Sequence, residues 1–187
     1  MCLWRDVIIW TYLSEKLTKR RAVEFITMRG AIMDDWKLDR IGSCERGENP
    51  TLLAKMKSGF AVIADSQFLP GYCILLASPK ITSLNELPIE ARSQFLLDMS
   101  IIGDAIMKTC NPLRLNYSIM ANTDHYLHAH IQARYDWEAD NYIRIPAWSY
   151  PVEEFYGKAH AFGEVKHSEL KGNLIKNLNV LMGQAGY

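Results

Sequence analysis

"DHYLHAHIQARY", residues 124–135, places three of the chain's five histidines within six positions. Read as a strand, positions two apart share a face. Tyr126, His128, His130, Gln132 and Arg134 then project together, while Leu127, Ala129, Ile131 and Ala133 face the other way. One face is wholly apolar and the other wholly polar. A core strand does not gather imidazole, amide and guanidinium on one side, because buried polar groups need partners. An ordinary solvated face favours Lys, Glu, Thr and Ser. The stretch therefore predicts a strand with a functional face.

The flanking sequence says what that strand belongs to. "RLNYSIMA" (114–121) alternates well enough to be a neighbouring strand, joined to it through "NTDH". Upstream, "FAVIADSQFLPGYCILLASPK" (60–80) holds two apolar runs, 60–64 and 72–77. Asp65–Gly71 between them ends on Pro70-Gly71, so the segment predicts an antiparallel hairpin. Before it, "ENPTLLAKMKSG" (48–59) predicts a short helix, with Asn49 to cap, Pro50 in the first turn and Gly59 past the end. After it, Pro88 opens a longer helix with Ile89, Phe95, Leu96, Met99, Ile102 and Ile106 on one stripe. The expected fold is α+β, an antiparallel sheet of about five strands packed against a long helix.

The ends of the chain are less regular. Residues 1–45 are expected to form an N-terminal extension, a helix or loose arm; Arg5 and Asp6 interrupt its apolar run, and no small-residue cleavage site of a signal peptide follows. The core is expected over 46–140. Residues 141–187 are expected to be an aromatic- and proline-rich ordered tail over the sheet, followed by a helix around 164–182 with Leu170, Leu174, Leu178 and Leu181 on one stripe, weakened by Gly172.

At 187 residues the chain is large enough to bury a proper core without disulfide staples. Twenty-one basic residues balance twenty-one acidic ones, so no global positive field gathers nucleic acid non-specifically and any phosphate recognition must be local. Cys2, Cys44, Cys73 and Cys110 are scattered with no C-x-x-C pair. They read as free thiols in a reducing compartment, with the cytoplasm as the default. No stretch approaches a membrane span.

Two chemistries use H-x-H on a strand. Both imidazoles can bind a metal, but a third ligand from Asp124, His125, His160 or His167 sits in no recognisable motif, and His125 has the wrong parity. Alternatively one neutral imidazole attacks phosphorus while its neighbours hold the phosphate oxygens. Tyr126, His130, Gln132 and Arg134 can all donate hydrogen bonds, so the second reading uses more of the face.

These residues resemble the histidine triad superfamily of nucleotidyl hydrolases and transferases, whose signature is H-φ-H-φ-H-φ-φ followed closely by Pro-Arg or a similar pair. "PGYCILLASPK" is similar to that family's P-G-H-x-L-V-x-P-K stretch, and the order hairpin, long helix, strand, triad strand is the same. The resemblance covers the region from about Phe60 to Tyr135. Aligning Arg134-Tyr135 with the arginine after the triad puts Tyr126 in place of the first histidine, His128 at the nucleophile and His130 at the third position; Tyr72 replaces the histidine of the hairpin motif. In a second register, His128 to Gln132 resembles the H-x-H-x-Q transferase branch, with His130 as nucleophile.

The resemblance implies nucleotide binding and hydrolysis of a phosphoanhydride or phosphoramidate bond at the α-phosphorus, with a dinucleoside polyphosphate as the favoured substrate and His128, His130 and Tyr126 as catalytic residues. Gln132, Asn122, Asp65 and Arg134 are implied as substrate contacts, Asp65 by accepting from ribose hydroxyls. Lys80 is left out of the site. Phe60, Ile63 and Phe68 offer an apolar slot, and Trp137, Trp148 and Tyr150 either close over a nucleotide or form a subunit contact. No metal ligand or other resident cofactor is expected, although the substrate itself can travel as a magnesium complex. A homodimer is expected from the resemblance. A metal-dependent enzyme and a binding module that has lost turnover with its first histidine are the competing readings.

Overall fold

Five short segments pair into one antiparallel sheet in the computed structural model, which describes residues 35–187. They are β1 (Leu52–Met56), β2 (Gly59–Ile63), β3 (Cys73–Ala77), β4 (Arg114–Ile119) and β5 (His128–Arg134), in the spatial order β1-β2-β3-β5-β4. The functional strand is thus interior, paired with β3 on one side and β4 on the other. The expected arm over residues 1–34 lies outside the described residues.

The segment expected to be a helix is β1. Its start signal is real but serves another purpose: Asn49 Oδ1 accepts from Thr51 N and Oγ1 at 2.9 and 2.6 Å, an Asx turn that leads into a strand. Lys57 and Ser58 then reverse the chain, with Met56 opposite Gly59. Gly59 is no helix cap. A Cβ there would lie 1.8 Å from the Leu76 carbonyl oxygen, so glycine is required by the close approach of β3. Pairing with β2 outweighs the helical boundary signals, as tertiary context commonly does. The Pro70-Gly71 turn forms as expected, with Gly71 at φ 84°.

The long helix α3 (Ile89–Cys110) follows two short helices, α1 (Asp35–Leu38) and α2 (Arg40–Glu45). It begins after Pro88 and ends where Asn111 turns left-handed at φ 47° and its N–H bonds Met107 O. Its buried stripe runs through Phe95, Asp98, Ile102 and Ile106, so Ile89 and Leu96 fall outside it, at 72% and 39% exposed. Asp98 is fully buried because it accepts from Ser58 N and Oγ, tying the helix to the β1–β2 turn.

The two faces of the sheet meet different partners. Ala61, Ile63, Leu75, Ala129, Ile131 and Ala133 pack with α3 and α6 (Ser168–Gln184), where Leu174 and Leu178 are buried and Leu170 and Leu181 are partly buried, the stripe the sequence predicts. Phe60, Val62 and Leu76 pack with Ile41 and Cys44 of α2, with Ile74 and Tyr126 beside them. His130 stands opposite Ile74 and His128 opposite Leu76, so both imidazoles lie on the α2 face.

The tail from Asp136 to His167 runs over the β2–β3 connection through α4 (Asp140–Ile143), α5 (Val152–Phe155) and single 3-10 turns. It is pinned by Gln67 N to His160 O at 2.7 Å, by Phe162 N to Asp65 O at 2.7 Å, and by the Ser66 hydroxyl donating to Phe155 O. No helix of the described residues is long and apolar enough to cross a membrane.

Candidate active site

The site begins with a side chain bonded to its own strand. His128 Nδ1 lies 2.8 Å from the backbone oxygen of Tyr126. A carbonyl only accepts, so Nδ1 carries a proton and Nε2 is the nitrogen that holds the lone pair of the neutral ring. The ring is buried yet lines two adjoining cavities. Its neighbour His130 stands edge-on at 4.7 Å between centroids. Burial, with His128 adding to it, pulls the His130 pKa down to about 4, so this imidazole is neutral at pH 7. The Tyr72 hydroxyl lies 2.6 Å from His130 Nδ1. Trp148 presents its face or edge to the same ring at 4.8 Å.

The first cavity, about 170 Å³, has an apolar floor of Val62, Ile74 and Leu76 and a polar rim of Arg40, Asp65, Asp124, Tyr126, His128 and His130. Arg40 Nη1 and Nη2 reach Asp65 Oδ1 and Oδ2 at 3.1 and 2.6 Å, a bidentate pair over the cavity mouth. Burial and Asp124 raise the Tyr126 phenol to about 12, against the lowering effect of Arg40. The second cavity, about 350 Å³, approaches the two histidines from the other side and is lined by Asn122, Thr123, Asp124, Trp148 and Tyr156.

The polar face of β5 is therefore divided. Tyr126, His128 and His130 line the first cavity, with Asp65 beside them, and Asn122 lines the second. Gln132 and Arg134 line a third cavity, about 490 Å³, with Asn116, Ile145 and Trp148. Gln132 is 1% exposed and its amide lies beside the Tyr72 phenol. Arg134 is 2% exposed, and all five of its N–H groups have partners: Glu138 takes Nε and Nη2, Asn116 Oδ1 and Ile145 O take Nη1, and Tyr142 O takes Nη2. The tail following β5 supplies carbonyls and a carboxylate that hold the guanidinium in the interior.

Arg40, Tyr72, Trp148 and Tyr156 line these cavities but lay outside the site residues expected from sequence. Arg40 comes from α2 and carried no sequence signal. Tyr72 occupies a position already marked as a departure from the P-G-H motif. Trp148 was one of three tail aromatics with two possible uses; Trp137 instead stacks on Tyr135, and Tyr150 is buried against Glu138. Tyr156 had no periodic context. Among the described residues no three His, Cys, Asp or Glu side chains converge as a metal ligand set; His160 packs on Phe68 and His167 on Phe162.

This interior strand with paired imidazoles, flanked by a hairpin and backed by one long helix, is an arrangement known from solved structures. No protein-family model and no curated protein matches the chain. A histidine triad protein from Marinobacter aquaeolei is similar at a TM-score of 0.55 and 23% identity over 70% of this chain and 89% of that one. One from Sinorhizobium meliloti is similar at 0.55 and 20% identity over 67% and 87%. The diadenosine triphosphate hydrolase of Plasmodium falciparum is similar at 0.51 and 15% identity over 70% and 78%. At these identities the likeness is one of architecture, and this chain has the histidine triad fold.

Proposed function

We propose that this chain binds nucleotides and hydrolyses a phosphoanhydride bond at the α-phosphorus, with His128 as nucleophile. The observation that carries the reading is the His128 Nδ1 bond to Tyr126 O, which leaves Nε2 unprotonated on a ring lining the cavity. Nε2 attacks phosphorus as the bond to the leaving oxygen breaks, and the leaving group departs with that electron pair. The resulting imidazolium stays bonded to the Tyr126 carbonyl, which favours its charge. Water then attacks phosphorus, the N–P bond breaks with its electron pair returning to Nε2, and the water's proton passes to solvent as the monophosphate forms.

Tyr126 donates one hydrogen bond to the leaving oxygen. A phenol raised to about 12 is a poor proton donor at neutral pH. A nucleotide phosphate leaves as a stable anion and needs no proton, whereas an amine does, so a dinucleoside polyphosphate suits this site better than a phosphoramidate. It would arrive as a magnesium complex. Asp65 accepts from ribose hydroxyls and Asn122 contacts the second cavity's occupant. The second reading is a binding module with little turnover, and what favours it is the phenol at position 126. Free Cys44, Cys73 and Cys110 fit a reducing, cytoplasmic setting. A homodimer is proposed with it, through β4, an open edge of the sheet.

The test is to incubate the protein with diadenosine polyphosphates and adenosine phosphoramidate, with and without added magnesium, following monophosphate release and acid-labile, alkali-stable attachment of nucleotide to protein. Release that disappears in His128→Ala supports the reading. Turnover that survives in His128→Ala but not in His130→Ala transfers the nucleophile to His130, and tight binding without release leaves the binding module.

A further inference from the structure

We propose that Tyr72 is a positioning residue that holds His130 as an uncharged imidazole with its proton on Nε2, so that the two adjacent histidines occupy opposite tautomers. The proposal deepens the reading of the cavity as a phosphoryl-transfer site and rests on it for the ligand, but the tautomer assignment stands on geometry alone.

The polarity of the Tyr72–His130 contact follows from what surrounds it. Tyr72 is 3% exposed, and among the described residues its hydroxyl has one acceptor within bonding distance, His130 Nδ1 at 2.6 Å. A buried hydroxyl that donates to nothing is costly, so the phenol proton points at Nδ1. Gln132 approaches from the other side. Cys73 pairs with Ile131, which brings Tyr72 and Gln132 together one step further along the ladder. The Gln132 amide lies beside the phenol, and its buried Nε2 has no hydrogen-bond partner among the described residues, so it offers Tyr72 no competing acceptor. Tyr72 therefore donates to His130, and a neutral imidazole accepting at Nδ1 carries its proton on Nε2.

His128 is held the opposite way, with its proton on Nδ1 facing the Tyr126 carbonyl. The pair thus offers one lone pair and one N–H to the same space. That matches a phosphoryl group, which needs a nucleophile at phosphorus and a donor at a non-bridging oxygen. The titratable and charged groups facing His130 are His128, Tyr72, Tyr126, Asp65, Asp124, Arg40 and Tyr156. Burial and the neighbouring His128 keep His130 neutral down to about 4.

The test is long-range ¹H–¹⁵N correlation of the histidine side chains between about pH 3 and 8. In the natural protein His130 should show a protonated Nε2 and a bare Nδ1, with a midpoint about 4. In Tyr72→Phe the donor to Nδ1 is gone, so the second tautomer should appear, while the midpoint should stay well below the ordinary value because the burial that lowers it remains. A proton on Nδ1 in the natural protein, a charged His130 at neutral pH, or an unchanged spectrum in Tyr72→Phe would overturn the proposal. If Tyr72→Phe does not fold, the natural protein's spectrum decides alone. With an active enzyme, Tyr72→Phe should lower kcat by about tenfold with KM within about twofold, and Tyr72→His, which again sets a donor beside Nδ1, should recover much of it; an unchanged kcat removes the positioning role. A natural protein that turns over no nucleotide sinks the functional reading, while the tautomer spectrum still decides this one.

Discussion

Glu138→Gln is the sharpest test of how the tail is held against the sheet. The carboxylate accepts from Arg134 Nε at 3.0 Å on both oxygens, from Arg134 Nη2 at 2.8 Å, from Tyr135 N at 2.7 Å and from Tyr150 Oη at 2.8 Å. The pair is 2% and 0% exposed. Glutamine fits the same space but turns an NH₂ toward guanidinium donors and leaves a charge unpaired in the interior. Breaking such a buried pair from one side costs about 3–5 kcal/mol, or roughly 6–20 °C in Tm for a domain of this size. Burial pushes the Glu138 carboxyl up, but Arg134, the Tyr135 N–H and the Tyr150 hydroxyl win and hold it below the ordinary range. A depressed folded pKa gives stability that is present above the unfolded value of about 4.3 and is lost as pH falls through the folded value. Urea unfolding followed by circular dichroism should therefore show a large gap between the two proteins at pH 7 that narrows below about pH 4. A loss under about 1 kcal/mol at neutral pH would refute the reasoning, since that is the scale of an exposed pair.

Three further outcomes are expected. Tyr126→Phe should lower kcat by about 1–3 kcal/mol in transition-state terms, read in steady-state kinetics, with Tyr126→His raising the rate; equal rates for all three proteins remove the side chain from the chemistry. Asp65→Asn should weaken nucleoside monophosphate binding by about 1–3 kcal/mol in calorimetry, whereas Arg40→Ala, which breaks a half-exposed pair, should cost under about 1 kcal/mol of folding stability. Gly59→Ala should cost about 3 kcal/mol or more in urea unfolding, because its Cβ would lie 1.8 Å from the Leu76 carbonyl oxygen; a loss near zero would mean that β3 yields freely there.

What the sequence announced depended on whether the signal was local. The β2–β3 hairpin, α3 after Pro88 and the α6 leucine stripe each follow from periodicity and a boundary residue within the segment itself. The strand β1 did not, because the Asx turn at Asn49 and the glycine at position 59 look the same whether they bound a helix or a strand, and only pairing with β2 decides. The site shows the same divide. His128 and His130 stood out through their shared parity on one strand. Arg40 became visible only when α2 was laid across Phe60, Val62 and Leu76. Parity alone also placed Gln132 and Arg134 on the histidines' face, but it could not show the tail partners that surround Arg134.

The partners of Arg134 explain how the site is walled. Arg134 would be prohibitively costly in the interior without partners, and the partners it has are the Glu138 carboxylate, Asn116 on β4, and the carbonyls of Tyr142 and Ile145. Three of those four lie in the tail, so the guanidinium fixes the path of residues 138–145 relative to β5. From Ile145 the chain passes through Pro146 and Ala147 to Trp148, which stands against His130, and on to Tyr156 at the rim of both cavities. The arginine two positions beyond Gln132 therefore fixes the segment that walls the cavity. The polar face of one strand does two jobs in sequence order: its first half presents imidazoles to the cavity, and its second half anchors the segment that encloses them.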